Sequence, residues 1–166
     1  AIMASGLETT ILRPTMIYGT PGDRNMIRLV QWINRWLVLP VFGNGRSLLQ
    51  PVHVTDVAWA VVQVLETPAT IHRQFNLSGA EPLTYNEVVR VTAQALGRRS
   101  RRLHIPAQLM VGLLDVTEHL GITLSIKAEQ IRRLNEDKAF SHAEAHDAFG
   151  YVPIPFEEGI SKEVAM

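Results

Sequence analysis

The sequence predicts a mixed α/β domain in which helices outnumber strands. Short apolar runs rich in β-branched residues alternate with longer segments whose apolar residues recur at helical spacing, and Gly, Pro and capping residues separate them. The 166 residues suffice for one domain with its own core. A hydrophobic content of 46% with 19% charged residues argues against a disordered chain.

Composition narrows the function classes. Sixteen basic and sixteen acidic side chains give zero net charge, so we expect neither nucleic acid nor an anionic membrane as partner. The absence of Cys excludes disulfides and thiolate chemistry. No apolar run is long enough for a membrane span, and the first residues do not resemble a signal peptide. A cytoplasmic location is therefore expected.

The first third of the chain predicts a strand and a helix. Residues 1–5 are expected to end a helix at Gly6, and residues 8–13 to form a strand that Pro14 ends. Residues 24–37 form a predicted helix that is closed off by Pro40. Its apolar face comprises Met26, Leu29, Val30, Ile33 and Leu37. Residues 43–45, Gly-Asn-Gly, predict a turn.

The middle of the chain continues the alternation. Residues 48–54 predict a strand interrupted by Pro51, and Thr55 is expected to cap the next helix. The predicted apolar stripe of that helix is Val57, Ala60, Val61, Val64 and Leu65, and Pro68 closes it. Residues 75–77 predict a strand that Gly79 stops.

Two capping boxes organise the remainder. Thr84 and Glu87 open a helix that is expected to run to Leu96, with Gly97 as its stop. Residues 101–105 predict a strand, Pro106 starts a helix, and another helix covers about 125–134. Residues 141–144, Ser-His-Ala-Glu, predict a second box before a short helix that Gly150 ends.

Four segments resemble the NAD-dependent epimerase/dehydratase family, the extended and atypical short-chain dehydrogenase/reductases. They are residues 5–19 with Leu-Arg-Pro and Tyr-Gly, residues 42–58 with Gly-Asn-Gly and His-Val-Thr-Asp-Val-Ala, residues 75–79 with the helix to residue 97, and residues 149–159. The resemblance covers nearly the whole chain. It implies the C-terminal part of a Rossmann-like fold: the last core strands plus a helix-rich substrate-binding region, as one region over residues 1–166.

Two hallmarks of that family do not occur in the sequence. There is no glycine-rich turn for a dinucleotide pyrophosphate, and no Tyr-x-x-x-Lys pair for general acid/base chemistry. The resemblance places both upstream of Ala1. We therefore expect the N-terminal dinucleotide-binding half to be absent and the chain alone to be inactive, its apolar faces favouring self-association or a homo-oligomer.

The resemblance also implies site residues. Pro14, Thr15, Met16 and Ile17 would lie against the nicotinamide of NAD or NADP, at the carboxyl end of a core strand. The substrate, a small molecule such as a nucleotide sugar, would meet Tyr18, Arg46, Gln50 and His53. Asp56 falls in the first turn of a helix, where a carboxylate is favoured. Structural alternatives stay open for Tyr18 and His53, which can pack or hydrogen-bond internally. No catalytic residue is assigned to this chain.

One position departs from the family pattern. Many nucleotide-sugar epimerases carry an Arg four residues before the His, and Leu49 stands there in this chain. Leucine forms no charge-assisted hydrogen bond with phosphate, and Arg46 is out of register. Residues 50–58 resemble the atypical branch that includes the 39-kDa-type accessory subunit of complex I. A dinucleotide-binding protein without catalysis is therefore the alternative to a nucleoside-diphosphate-sugar epimerase or dehydratase.

Three further features have structural interpretations. The basic run at residues 98–102 is expected to be a solvated loop and strand edge. His142 and His146 have the spacing of a zinc pair on a helix but lack evident further ligands, so no metal is expected. Met26, Trp32 and Trp36 are expected to be buried in the core or between subunits, rather than to line a substrate slot.

Overall fold

The computed structural model describes residues 6–20, 22–23, 25–106, 108 and 136–165. In these ranges, the strands are β1 Ile11–Pro14, β2 Ile17–Tyr18, β3 Val38–Phe42, β4 Leu48–Leu49, β5 Val52–His53, β6 Gln74–Leu77, β7 Leu83–Thr84 and β8 Arg101–Ile105. The helices are α1 Met26–Arg35, α2 Val54–Glu66, α3 Tyr85–Ala95, α4 Ala143–Phe149 and α5 Phe156–Val164, with a short 3₁₀ helix at Pro68–Thr70. Mixed α/β architecture is thus confirmed.

The chain divides into two units. Unit 1 comprises Ala1–Arg28, Gln50–Pro82 and Ala139–Met166, and unit 2 comprises Leu29–Leu49 and Leu83–Lys138. The expectation of one substrate-binding region over residues 1–166 stays a prediction. The helices predicted around residues 1–5, 106–120 and 125–134 lie wholly or largely outside the described residues.

Unit 1 is built on two parallel strand pairs. Strand β1 pairs with β6, from Ile11 opposite Gln74 to Pro14 opposite Leu77, and β2 pairs with β5. Parallel neighbours need a connection that crosses back. The connection from β1 to β6 includes α2 and the 3₁₀ helix, and the connection from β2 to β5 includes α1. The buried cluster of this unit consists of Val52, Ala60, Phe75, Leu77, Ala145 and Tyr151.

Unit 2 contains a parallel and an antiparallel pair. Strand β3 pairs with β8 over five residues, and β4 pairs with β7. Helix α3 begins as predicted, because the Thr84 side chain accepts from the Glu87 amide and the Glu87 carboxylate accepts from the Thr84 amide. The predicted strands at residues 75–77 and 101–105 and the turn at residues 43–45 are also present.

Two strands contain a proline. Pro14 is the last residue of β1 and ends it as predicted. Pro40, which was expected to close a helical region, lies in the middle of β3, a strand that the sequence analysis missed. Both strands belong to two-stranded pairs, where one edge makes no ladder bonds with the partner. A residue without an N–H is tolerated at such an edge. Pro51 separates β4 and β5, which pair with different partners.

Two predicted caps are wrong. Helix α2 is capped by His53, whose Nδ1 accepts from the Thr55 amide at 3.3 Å, and Thr55 is already helical. The box predicted at residues 141–144 does not form, because His142 occupies the cap position of α4 and makes no side-chain cap. The Ser141 hydroxyl accepts from the Ala143 amide instead, at 3.2 Å. Gly150 does end α4, with φ of 74°.

The apolar stripe of α2 is only partly buried. Ala60 is fully buried, whereas Val61 and Leu65 are exposed and form an outward apolar face together with Val62. Helix α1 shows a related difference. Met26 is buried, but Trp32 and Trp36 are 43% and 52% exposed, so the two indoles are not part of the core. Their burial between subunits stays a prediction.

Candidate functional site

The loop after β1 is bound to neighbouring strands through Thr15. Its amide donates to the Leu77 carbonyl at 3.0 Å, and its hydroxyl donates to the Gln50 carbonyl at 2.5 Å. The next carbonyl, of Met16, accepts from the Val52 amide at 3.0 Å. Pro14 has no backbone N–H. The Thr15 amide and the Met16 carbonyl both bond within unit 1, so these polar backbone groups are already satisfied. Nicotinamide contact by residues 14–17 stays a prediction.

Tyr18 is buried between rings. Its ring meets His53 edge-on with centroids 5.3 Å apart and lies 5.4 Å from the ring of Phe156. The hydroxyl has no hydrogen-bond partner in the described residues. Burial, followed by the negative charge of Asp56, raises the pKa of Tyr18 above its usual range. In this geometry, Tyr18 is a neutral packing group, and its contact with substrate stays a prediction.

His53 has a defined structural role as the cap of α2. Its Nδ1 accepts from the Thr55 amide and lies 2.7 Å from the Thr55 hydroxyl, which assigns the ring proton to Nε2 in the neutral form. Burial is the main cause that lowers the pKa of His53, partly opposed by Asp56. Gly19, with φ of 98°, lies against the far side of the imidazole, where a Cβ would collide. The imidazole is therefore neutral and fixed in orientation.

Gln50 joins three segments of unit 1. Its side-chain nitrogen donates to the Gly79 carbonyl at 2.8 Å, and its side-chain oxygen accepts from the Phe140 amide at 2.9 Å. The residue is buried, so these two hydrogen bonds satisfy its polar ends internally. Gly79 is required because a Cβ there would collide with the Pro51 carbonyl. A direct contact between Gln50 and substrate stays a prediction.

A pocket in unit 1 borders the first turn of α2. It has a volume of about 300 Å³ and is lined by Thr55, Asp56, Trp59, Gly150, Tyr151 and Val152. Asp56 accepts from the Ile154 amide at 3.1 Å, and burial raises the pKa of this carboxyl despite that bond. The Tyr151 hydroxyl donates to the Ser78 carbonyl at 3.1 Å. The polar groups here mainly tie the C-terminal segment to unit 1.

Glu163 was missed by the sequence analysis. It is 3% exposed, and neither carboxylate oxygen has a hydrogen-bond partner of good geometry in the described residues. Burial, reinforced by Asp23 and only partly offset by the Gly19 amide, raises the pKa of Glu163 to about 7. Its spacing after Phe156 and Ile160 places it on the buried face of α5, which is the signal that could have found it.

The larger cleft lies in unit 2 at the carboxyl ends of the parallel strands β3 and β8. It measures about 810 Å³ and is lined by Gly43, Asn44, Arg46, Asn86, His104, Pro106 and Gln108. Asn86 is held between neighbours: its amide nitrogen donates to the Asn44 carbonyl at 2.9 Å, and its amide oxygen lies 3.3 Å from His104 Nε2. Gly45 has φ of 65°, and a Cβ there would strike Asn86.

Arg46 is the predicted substrate residue that lines this cleft. Its amide donates to the Asn44 side chain at 2.9 Å, which fixes the turn. Its side chain is exposed, and within the described ranges its guanidinium makes no hydrogen bond or ion pair. Leu49, in contrast, pairs with Leu83 in the β4–β7 ladder. Of the predicted substrate residues, unit 1 gathers Tyr18, Gln50 and His53, and Arg46 belongs to unit 2.

His142 and His146 have separate partners. His142 Nδ1 lies 2.8 Å from the Ser78 hydroxyl, and His146 Nδ1 lies 3.2 Å from the Asp147 carboxylate. In the part of the chain that the structure describes, no group of three His, Asp or Glu could hold a metal ion. None of the helices described is both long and apolar enough to cross a membrane.

Comparison with known proteins relates the chain to one family. Residues 1–78 match the sequence model of the NAD dependent epimerase/dehydratase family. Over that stretch, the chain is similar to this family. It is 27% identical to 3beta-hydroxysteroid-dehydrogenase/decarboxylase isoform 2 of Arabidopsis thaliana, over 96% of this chain and 31% of the relative. It is 28% identical to subunit 9 of the NADH dehydrogenase [ubiquinone] 1 alpha subcomplex, a mitochondrial protein of the same plant, over 64% of this chain and 26% of that protein.

Solved structures of this epimerase/dehydratase family share the fold. The structure of UDP-glucose 4-epimerase from Thermotoga maritima with UDP-glucose superposes with a TM-score of 0.70 at 18% identity. The match covers 98% of this chain and 46% of that one. The fold is thus part of the Rossmann-like extended short-chain dehydrogenase/reductase fold, as predicted. The chain spans about a third or less of the two curated relatives described above and about half of the solved protein.

Proposed function

We propose that this chain is the substrate-binding portion of an NAD(P)-dependent oxidoreductase of the nucleoside-diphosphate-sugar epimerase and dehydratase type. The observation that carries the proposal is the unit 2 cleft, which Arg46 lines together with Asn86 and His104. Among the residues that the structure describes, the Arg46 guanidinium has no hydrogen-bond or ion-pair partner. The relation to a UDP-glucose 4-epimerase solved with UDP-glucose supports the choice of ligand.

The cleft has the chemistry for a phosphate-bearing ligand. A guanidinium binds phosphate oxygens through two parallel charge-assisted hydrogen bonds, and within the described ranges no residue occupies the Arg46 donors. A volume of about 810 Å³ falls in the range of small-molecule sites. The parallel strands β3 and β8 have their carboxyl ends at this cleft, and ligands bind at the carboxyl ends of the strands in open parallel sheets. Arg46 thus takes the role that Leu49 cannot fill.

The cofactor part of the proposal concerns residues 14–17. Pro14, Thr15, Met16 and Ile17 would hold the nicotinamide end of NAD or NADP, which supplies hydride transfer when bound. Thr15 already binds the backbone of β6 and of Gln50, so its role is to fix the loop rather than to bind the carboxamide. Ile17 is 39% exposed and offers an apolar contact for the nicotinamide ring. The proton-transfer pair of the reaction is not assigned to this chain.

The test is titration calorimetry of the chain with UDP-glucose, UDP and glucose. Arg46→Ala is expected to weaken UDP-glucose binding about tenfold or more, because charge-assisted hydrogen bonds to phosphate are lost. The matched control is Arg90→Ala. Arg90 is also exposed in unit 2, and its guanidinium donates to Gln94 at 2.7 Å. Equal affinity of Arg46→Ala and wild type would remove Arg46 from the site.

We also propose that the chain alone does not interconvert the sugar substrates of its relatives. The sequence contains no Tyr-x-x-x-Lys, and the buried Tyr18 stays protonated near neutral pH. Incubation with UDP-glucose and NAD, followed by chromatography of the nucleotide sugars, is expected to show no conversion. Turnover above the buffer blank would contradict this part of the proposal.

The second candidate function is dinucleotide binding without catalysis. Leu49 favours it, because the diphosphate-binding Arg of many epimerases is missing there, and the relation to subunit 9 of the mitochondrial NADH dehydrogenase subcomplex supports it. Titration with NADH in place of UDP-glucose separates the two. Binding of NADH that Arg46→Ala leaves unchanged, with no binding of UDP-glucose, would favour this candidate. Self-association through the outward face of α2 is a further proposal, and sedimentation tests it.

A further inference from the structure

Charge is distributed unevenly over a chain that is neutral overall. Residues 29–49 and 88–106, which make up most of the described part of unit 2, contain no Asp or Glu. The same ranges contain seven arginines: Arg35, Arg46, Arg90, Arg98, Arg99, Arg101 and Arg102. Cationic side chains therefore dominate these two ranges, although the net charge of the whole chain is zero.

A cluster of exposed apolar side chains and two arginines lies on this cationic unit. We call it the tryptophan patch, and it consists of Trp32, Arg35, Trp36, Leu37, Val38 and Arg101. The two indole rings have centroids 6.4 Å apart, and the Arg35 guanidinium lies 5.5 Å from the centroid of the Trp36 ring. Trp36 is 52% exposed and Leu37 is 72% exposed. Two indoles and a leucine thus face outward together.

Backbone contacts hold the patch in one place. The Trp32 indole nitrogen donates to the Val38 carbonyl at 3.0 Å, which ties α1 to the start of β3. The Arg101 amide donates to the Leu37 carbonyl at 2.8 Å, and Arg101 lies opposite Val38 in the β3–β8 register. Leu103, 57% exposed, extends the apolar surface along β8. The patch is therefore continuous across a helix end and two strands.

We propose that the tryptophan patch binds an anionic lipid surface. Indole rings are amphipathic and favour the boundary between headgroups and acyl chains, and Leu37 offers a purely apolar contact below it. Arg35 and Arg101 border the indoles, and Arg98 and Arg99 precede β8 in the same carboxylate-free range, so the electrostatic term is attractive for anionic headgroups.

The chemistry disfavours two other occupants. A second copy placed symmetrically on the patch would bring Arg35 and Arg101 against the same residues of its partner, and like charges at close range repel. Nucleic acid would satisfy the arginines but offers no apolar layer for Leu37 and Val38. A lipid surface satisfies both parts of the patch.

The test is co-sedimentation of the full 166-residue chain with vesicles. One set contains phosphatidylcholine only, and the other contains equal parts of phosphatidylcholine and phosphatidylglycerol. Partitioning is expected to be about tenfold or more stronger on the anionic vesicles and to fall as NaCl rises, since each arginine near the surface contributes about fivefold. Equal partitioning on both sets, or none on either, would overturn the proposal.

Matched variants locate the contact. Leu37→Ser is expected to reduce partitioning about tenfold, whereas Val152→Ser is expected to leave it unchanged. Val152 is the control because it is an apolar side chain of unit 1 with nearly the same exposure, 71%. Arg101→Gln should reduce partitioning onto anionic vesicles about fivefold, whereas Arg13→Gln should leave it unchanged. Equal losses in each pair would mean that the binding is not made by this patch.

Fluorescence separates insertion from charge attraction alone. The variant Trp32→Phe with Trp59→Phe retains Trp36 as its one indole. Anionic vesicles with brominated acyl chains are expected to quench Trp36 by at least half, which requires close approach to the acyl region. Sedimentation with vesicles but without quenching would show arginine attraction only and would overturn the proposal. Leu37→Ser provides the independent readout if the double variant does not fold.

Discussion

The hydroxyl of Tyr18 lies directly against the Cα of Gly159, so that no side chain fits between β2 and α5 at this point. A Cβ on Gly159 would collide with that hydroxyl and with the adjacent ring carbons. Glycine is otherwise unfavourable inside a helix, which indicates that close packing against Tyr18 is what requires it here.

Gly159→Ala is expected to lower the free energy of unfolding by about 2 kcal/mol, because the overpacking of a rigid ring outweighs the better helix propensity of Ala. Tyr18→Phe should have little effect alone, since no described residue is a hydrogen-bond partner of the hydroxyl, and should recover part of the loss in the double variant. Urea unfolding of wild type, the two single variants and the double variant gives the coupling free energy between Tyr18 and Gly159. Gly22→Ala is the control, because nothing lies near its Cβ position. Additive losses would show that the two residues do not interact.

Glu163 predicts a pH dependence of stability. Its folded pKa of about 7 lies above the usual value of 4.5, so the folded state holds the proton more tightly than the unfolded state does. The stabilising contribution of the protonated form is present below about 4.5 and is lost as pH rises through about 7. Glu163→Gln should remove this slope and be more stable than wild type near pH 8, by on the order of 2 kcal/mol.

The measurement for Glu163 is urea unfolding of wild type and variant across this pH range. Glu157→Gln serves as control, since Glu157 is exposed on the same helix. If both variants retain the wild-type slope, another group titrates in this window and the assignment to Glu163 is wrong.

Replacing Gln50 is expected to change the free energy of unfolding more than the affinity for substrate. Gln50→Leu would leave the Gly79 carbonyl and the Phe140 amide without their side-chain partners, so a loss of about 2–4 kcal/mol is expected. Gln31→Leu, on the exposed face of α1, should cost less than about 0.5 kcal/mol. Chemical unfolding measures both. Near-wild-type stability of Gln50→Leu together with weaker UDP-glucose binding would instead support direct contact with substrate.

The capping box of α3 gives a prediction for unit 2. Thr84→Ala removes the hydroxyl that accepts from the Glu87 amide at 3.2 Å and should cost about 1 kcal/mol, while Thr84→Ser should be close to neutral. Thermal unfolding followed by circular dichroism checks the order of the three proteins. A Thr84→Ser variant as unstable as Thr84→Ala would point to packing of the methyl group rather than to the cap.

Local signals in the sequence predicted much of the fold. The box at Thr84 and Glu87, the strand at residues 101–105 and the stop at Gly150 depend on neighbours within a few residues, and all are confirmed. The box at Ser141 and Glu144 has the same pattern but does not form. His142, which lies at the cap position there, instead has its ring nitrogen 2.8 Å from the Ser78 hydroxyl. That contact joins residues 64 positions apart, beyond any local pattern.

Burial was harder to predict than secondary structure. The stripe of α2 has helical spacing, yet Leu65 is 82% exposed, because periodicity identifies an apolar face without showing what covers it. Arg46 was predicted as a substrate residue and lines the unit 2 cleft. Asn86 and His104 also line that cleft but come from another part of the sequence. They could not be linked to Arg46 without the β3–β8 pairing.

The order of segments in unit 1 has a consequence for synthesis. Its strands come from residues 11–18 and 52–77, and its closing helices α4 and α5 come from the last 24 residues, with unit 2 segments in between. During translation, Tyr18 and Phe75 emerge well before the residues that cover them, Phe156 and Phe149. A ribosome-bound chain truncated before residue 139 should therefore expose these aromatic rings and recruit chaperones that bind apolar segments, whereas a chain that extends past residue 165 should close unit 1.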